Sequence, residues 1–174
     1  RNFYQNFFWR RKTSKKSWEN KQKGLKISIN KYQDLSSDKL YEILKLRSEV
    51  FVVEQNCAYQ DLDNKDQKAL HLIAEKKNKI IAYTRIFKKG DFFKNSSIGR
   101  VLVKKEHRRK DLGKKIMIKS IEQIKEDKNE KKIELSAQKY LLKFYLELGF
   151  KKTGKEYLED GIPHVKMILK IRFY

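Results

Sequence analysis

Residues 96–124 join an apolar strand pattern to a helical one through a short basic turn, and a chain with that joint needs a sheet with a helix packed on it. The strand candidate is Ser-Ser-Ile-Gly-Arg-Val-Leu-Val at 96–103. His-Arg-Arg-Lys-Asp-Leu-Gly-Lys-Lys-Ile-Met at 107–117 follows, with five positive side chains around one glycine. Leu112, Ile116, Met117, Ser120, Ile121 and Ile124 then recur at helical spacing. That order leaves unpaired backbone N–H groups at a helix start, where the positive end of the helix dipole reinforces them as an anion site. Taken alone, the turn is equally consistent with ordinary basic surface. It is not a Walker loop, and no G-x-G-x-x-G follows any strand pattern.

The rest of residues 25–174 alternates the same two periodicities. Leu25–Tyr32 reads as a strand, and residues 36–51 read as a helix capped by Ser37 or Asp38, with Leu40, Ile43, Leu44 and Phe51 on one face. Arg47 falls on that face; it either snorkels out or points into a site. Residues 71–75 and 80–87 form a hairpin around the turn 76–79, with 96–103 as a third strand. Residues 131–137 are a strand, and 140–148 a short helix closed by Gly149. Residues 150–160 and 163–173 make a last strand pair around Gly161. The fold class is α/β or α+β, with a mixed, mostly antiparallel sheet flanked by helices.

Charge adds a constraint on partners. The chain carries 43 Lys+Arg against 22 Asp+Glu, a formal +21, which attracts nucleic acid, acidic membrane or phosphorylated small molecules, or simply decorates solvated faces. Residues 1–24 stand apart as an extension with eight basic residues, both tryptophans and several other aromatics. Such a segment stacks on bases, sits at a membrane surface, or packs on the domain or a second copy. Cys57, alone, excludes an internal disulfide framework and fits a reducing, cytoplasmic setting. His71, His107 and His164 are too scattered for a metal site, and the longest apolar run is four residues, far short of a membrane helix.

Arg108-Arg109-Lys110-Asp111-Leu112-Gly113-Lys114 after the strand Ile98–Val103 resembles the [QR]-x-x-G-x-[GA] pyrophosphate loop of the GNAT superfamily of acyl-CoA-dependent N-acetyltransferases. Asp111 stands where that loop usually has its first glycine. Residues 46–63, 135–150 and 159–167 are similar to the ElaA-type branch, so the resemblance runs from about Lys39 to Leu169. It implies a GNAT fold over 25–174, with the sheet splayed between two strands, and acetyl-CoA as co-substrate without a metal. Its pyrophosphate would lie on the N–H groups of Arg109 to Lys114, with Arg108 opening the loop and Gly113 avoiding a crowded approach. The pantetheine arm would run between strands 98–103 and 132–137, along Ser136, with the thioester carbonyl on a backbone N–H near Leu102 or Val103. Tyr145 matches the family tyrosine that hydrogen-bonds or protonates the leaving sulfur, although periodicity alone puts it in the core.

The acceptor side is less constrained. Glu54, Asp61, Asp63 and Asp66 form one acidic cluster, and Glu156, Glu159 and Asp160 a second; either can hold an ammonium group and take its proton. The resemblance places the segment after the first helix on the acceptor side. It therefore favours Glu54 as the catalytic carboxylate and Gln55 beside it, with Arg47, Arg85, Arg100 and His164 orienting the substrate. Cys57 reads as a small apolar filler. The Lys- and Ile-rich composition is similar to that of proteins from AT-rich genomes, including apicomplexans, which have GNAT-type glucosamine-6-phosphate N-acetyltransferases. On that association the expected acceptor is glucosamine 6-phosphate, the alternatives being another small amine or a protein lysine or N-terminus. A homodimer is a candidate assembly. A nucleic-acid-binding module is the non-enzyme alternative, disfavoured because no RNA-recognition signature or helix-turn-helix is present.

Overall fold

A computed structural model describes residues 24–172; the basic extension expected over 1–24 lies outside these but for Gly24. Seven strands form one sheet: β1 (Leu25–Lys31), β2 (Leu70–Lys76), β3 (Lys79–Phe87), β4 (Ser96–Val103), β5 (Lys132–Gln138), β6 (Lys151–Glu159) and β7 (Ile162–Lys170), in the order β1-β2-β3-β4-β5-β7-β6. Every neighbouring pair is antiparallel except β4 and β5. Lys77 and Asn78 hold the β2–β3 turn at φ values of 52° and 58°, the left-handed pair that a tight hairpin needs.

Alternation along the strands sends side chains to two faces, and a helix covers each. Leu72 and Ala74 of β2 face the larger core cluster, while Ile73 between them faces the smaller. Helix α1 (Ser37–Arg47) continues as a wider π-type turn over Ser48–Glu54 and buries Ile43, Leu46 and Val50 on Ile73, Tyr83 and Leu102. Its cap is Ser36, whose side chain accepts from the Lys39 N–H at 3.2 Å, rather than the expected Ser37 or Asp38.

The opposite face takes α2 (Leu112–Lys125), whose buried residues are the six that the spacing marked: Leu112, Ile116, Met117, Ser120, Ile121 and Ile124. Ile116 and Met117 are fully buried, each worth about 1.5–3 kcal/mol. Ser120 is satisfied there by Thr84 of β3 at 2.7 Å and by the Ile116 carbonyl at 2.9 Å. The short helix α3 (Leu142–Glu147) adds Tyr145 to this core and ends at Gly149, whose φ of +90° is the left-handed stop expected there.

Two irregularities open the middle of the sheet. Strands β4 and β5 pair only at Ser96–Ile133 and Ser97–Glu134 and then diverge. On the other side of β4, Tyr83 faces Leu102 and Arg85 faces Gly99, so Thr84 alone opposes Arg100 and Val101. That is a bulge, and Arg100 sits in it at a left-handed φ of 48°.

Candidate active site

The basic turn has the backbone of a cradle. Arg109 and Asp111 are both left-handed, with φ values of 58° and 57°, and Asp111 is the residue from which α2 departs. Turning the chain this way gathers successive N–H groups toward one side, and the helix start adds its own. Asp111 thus meets the conformational demand that explains a glycine in this loop, because aspartate tolerates the left-handed region better than most residues. Gly113 lies one residue into α2. A Cβ there would lie 3.6 Å from Val103 Cγ2 and 3.7 Å from Phe144 Cζ, ordinary contacts, so the protein itself does not forbid a small side chain.

Arg108 is fixed rather than loose. Its Nε donates to the Val103 carbonyl at 2.8 Å, and its two terminal nitrogens grip the Glu54 carboxylate, one of them at 2.8 Å. Those hydrogen bonds hold Glu54 below the usual carboxylate range. Glu54, the carboxylate expected to act as the base, is engaged by Arg108 and does not line the cleft described next. Lys110 donates to the Glu106 carbonyl at 2.9 Å. Leu102 and Val103, near which the thioester carbonyl was expected, remain in register with Tyr83 and Ala82, and the irregularity in the ladder lies just before them at Arg100–Val101.

Where β4 and β5 part, a cleft of about 410 Å³ opens. Tyr145 and Leu141 line it beside Ser136 and Gln138 of β5 and Val101 of β4. Tyr145 is 5% exposed; burial, with a smaller push from Tyr140, raises its phenol well above the ordinary value. Gln55 faces the cleft and accepts from Gln138 at 2.9 Å. Ser136 donates to Glu159 at 2.7 Å and lies 2.5 Å from the Tyr157 hydroxyl, so its side chain belongs to the cleft rim. His164 also lines the cleft, with Nδ1 2.8 Å from the Ile162 carbonyl and its ring stacked on Tyr157. Cys57 is there too, its thiol 3.4 Å from the Asp160 carbonyl. Glu159 and Asp160, from the second acidic cluster, line the cleft together with Asp63 from the first.

The three arginines expected to orient a substrate meet in a closed ring of alternating charge. Arg100 pairs with Asp61 at 2.6 Å, Asp61 with Arg47 at 2.8 Å, and Arg47 with Asp66 at 2.7 Å. Asp66 pairs with Arg85 at 3.0 Å, Arg85 with Asp63 at 2.6 Å, and Asp63 returns to Arg100 at 3.9 Å. Arg47 is 0% exposed and does not line the cleft; it is held within the ring by Asp61 and Asp66. Arg85 and Arg100 do reach the cleft, already facing carboxylates. Burial alone would raise the Asp63 carboxyl, but hydrogen bonds and charge from Arg85 outweigh it and bring it from 3.8 to about 2. Burial lowers the titration of His71, whose Nε2 lies 3.0 Å from the Asp66 carbonyl and whose Nδ1 lies 2.7 Å from the Tyr83 hydroxyl.

Sequence reasoning did not single out Phe87, Phe92, Phe93, Ser97 or Lys65, all of which line the same cleft. A signal existed for two of them: Phe92 and Phe93 are adjacent aromatics in the otherwise polar stretch 88–95.

Comparison with known proteins agrees with this architecture. A family model described as an acetyltransferase (GNAT) domain matches residues 31–171. Protein ElaA of Escherichia coli is 39% identical over 142 residues, 80% of this chain and 93% of ElaA. A UPF0039 protein of Schizosaccharomyces pombe is 40% identical over 142 residues, with the same 80% and 93% coverage. The crystal structure of Escherichia coli ElaA superposes with a TM-score of 0.78 at 37% identity, covering 83% of this chain and 99% of that one. That of an acyl-CoA N-acyltransferase from Pseudomonas aeruginosa does so with 0.79 at 34% identity and the same coverage.

Proposed function

This chain belongs to the GNAT acetyltransferase family, and from that premise we propose that it transfers the acetyl group of acetyl-CoA directly to the primary amine of a small molecule. The observation that carries the reading is the meeting of three features: the left-handed basic turn at the start of α2, the divergence of β4 from β5, and Tyr145 lining the cleft where they part. Acetyl-CoA supplies the activated acyl group. The backbone N–H groups from Arg109 to Lys114 hold its pyrophosphate, and the unpaired edges of β4 and β5 receive the amide-bearing arm. A backbone N–H freed by the bulge at Arg100–Val101 polarises the thioester carbonyl.

The chemistry needs a neutral amine. Its nitrogen bonds to the acetyl carbon as the carbon–sulfur bond breaks; the nitrogen loses a proton and the sulfur gains one, giving an amide and the free thiol. Glu159 and Asp160 are the carboxylates placed to hold the ammonium form and pass its proton to water. Tyr145 steadies the leaving sulfur by hydrogen bonding. An ordinary phenol near 10 is about 2 kcal/mol too weak an acid to protonate a thiolate near 8.5, and burial raises it further.

Glucosamine 6-phosphate is less well supported as the acceptor. A phosphate needs an available guanidinium or ammonium; Arg47, Arg85 and Arg100 each face a carboxylate, which leaves the single Lys65 ammonium over Phe92 to meet a dianion. A thiol-release assay with acetyl-CoA, run over amines, amino sugars, amino-sugar phosphates and peptides with the N-acetyl product measured, tests the reading. Turnover of a small unphosphorylated amine is expected. Turnover confined to peptides or to the sugar phosphate would overturn the acceptor assignment.

A further inference from the structure

One wall of the cleft has no part in the transfer chemistry, and it is built of rings. Phe87 stacks on Phe92 at 5.1 Å and 20°, and Phe92 meets Phe93 edge-on at 4.6 Å. The Lys65 ammonium lies 4.2 Å from the centre of Phe92, and the Arg85 guanidinium 4.9 Å from that of Phe87. Ile98, Phe51 and Leu141 extend the apolar lining.

Two buried polar atoms belong to the same cleft. Arg85 Nε and Ser97 Oγ are the side-chain atoms, among the described residues, that are fully buried with no hydrogen-bond partner. Both residues are 1% exposed and both line the cleft. An unpartnered buried polar group costs about 1–3 kcal/mol, so a ligand oxygen that reached either atom would recover that cost.

Charge defines that oxygen. The lining contains Lys65, Arg85 and Arg100 against Asp63, Glu159 and Asp160, an even count in a chain whose formal charge is +21. The ring behind it is balanced as well, three arginines with three aspartates. A dianion seated on Arg85 would have to part it from Asp63, while an uncharged oxygen there needs only the idle Nε and hydroxyl.

Resting on the reading of this cleft as the acceptor site, we propose that the acceptor is a primary amine on an aromatic or bulky apolar body that also carries an uncharged oxygen. The body packs on Phe87, Phe92 and Phe93. The oxygen accepts from Arg85 Nε and Ser97 Oγ, and the amine faces Glu159 and Asp160.

A matched set of amines tests this. Tyramine and phenylalaninamide carry an aromatic ring and an uncharged oxygen; phenethylamine lacks the oxygen, glucosamine the aromatic ring, and glucosamine 6-phosphate carries a dianionic phosphate. Each is measured by thiol release with acetyl-CoA and by calorimetric binding to the CoA-loaded protein. The better of tyramine and phenylalaninamide should exceed phenethylamine by about tenfold, and both sugars by about a hundredfold, in kcat/KM or in affinity. Ser97→Ala should bring the ratio over phenethylamine close to one. It should not lower the melting temperature, since it removes a hydroxyl with no partner. Phe92→Ala should weaken all three ring-bearing amines. Preference for either sugar, no binding of any ring-bearing amine, or preferences unchanged in both variants would overturn the proposal. Turnover of glucosamine alone would do so while leaving acetyl transfer intact. Ring-dependent binding with no thiol release would instead remove the transfer reading and keep the site.

Discussion

Tyr145 illustrates how a core position and a site position coincide. It packs edge-on against Phe144 and Phe150, as its helical spacing implies, yet the cleft reaches it. Tyr145→Phe keeps that packing and removes one hydroxyl, so the melting temperature should hold while kcat falls about ten- to a thousandfold. Because burial raises the phenol, it stays protonated as pH rises, and kcat/KM should climb with deprotonation of the amine and show no fall near pH 10. An alkaline fall there in wild type, lost in Tyr145→Phe, would contradict this. Gly113 separates ligand from fold more cleanly. Because a Cβ meets only ordinary contacts at 3.6 and 3.7 Å, Gly113→Ala should fold normally. Its acetyl-CoA dissociation constant, measured by calorimetry, should rise about tenfold, or about 1.4 kcal/mol. Some residue roles had no signal in the sequence. The partner of Glu54 is Arg108, 54 positions on, and those of Arg47 lie 14 and 19 positions on across an irregular segment, so no periodicity links them. The helical pattern showed only that Arg47 was out of place on an apolar face.

The elements were legible where one periodicity ran long enough. The six apolar and small positions of α2 and the alternation in the β2–β3 hairpin needed nothing beyond spacing. The bulge in β4 was hidden, because Gly99-Arg100-Val101 reads as unbroken strand and only its partner Thr84 reveals the extra residue. The departure at Asp111 is explained by backbone conformation. Its φ of 57° demands a residue that tolerates the left-handed region, and α2 has its first helical N–H groups there. Asp111→Gly should therefore preserve both melting temperature and acetyl-CoA affinity. Asp111→Val, β-branched in a left-handed position, should cost about 1–2 kcal/mol in chemical denaturation and weaken acetyl-CoA binding with it. Equal behaviour of the two variants would mean that the loop conformation is not what this position supplies.

Across the molecule, charge is partitioned. The turn before α2 and the start of that helix gather Arg108, Arg109, Lys110, Lys114 and Lys115, a charge that attracts polyphosphates, while the cleft is backed by a balanced ring. Removing one carboxylate from that ring strands a buried guanidinium. Asp61→Asn should cost about 3–5 kcal/mol by denaturation, more than its exposed counterparts elsewhere. Asp63 adds a pH dependence of known sign. Its carboxyl lies at about 2 in the folded protein against 3.8 ordinarily, so the unfolded chain binds the proton first as pH falls. The stabilisation, about 2 kcal/mol, is complete above pH 4 and is lost as pH drops toward 2; Asp63→Asn should flatten that decline. The proposed reaction has a thioester and an amine meet at Tyr145, which lines the cleft. The deciding measurement is the stoichiometry of thiol release and N-acetyl product with acetyl-CoA and a ring-bearing amine, in wild type and Tyr145→Phe. One amide should form for each thiol released, with no release beyond the spontaneous rate when the amine is omitted and a large fall in the variant. Thiol release without amide, or amide formation that ignores Tyr145, would contradict direct transfer in this cleft.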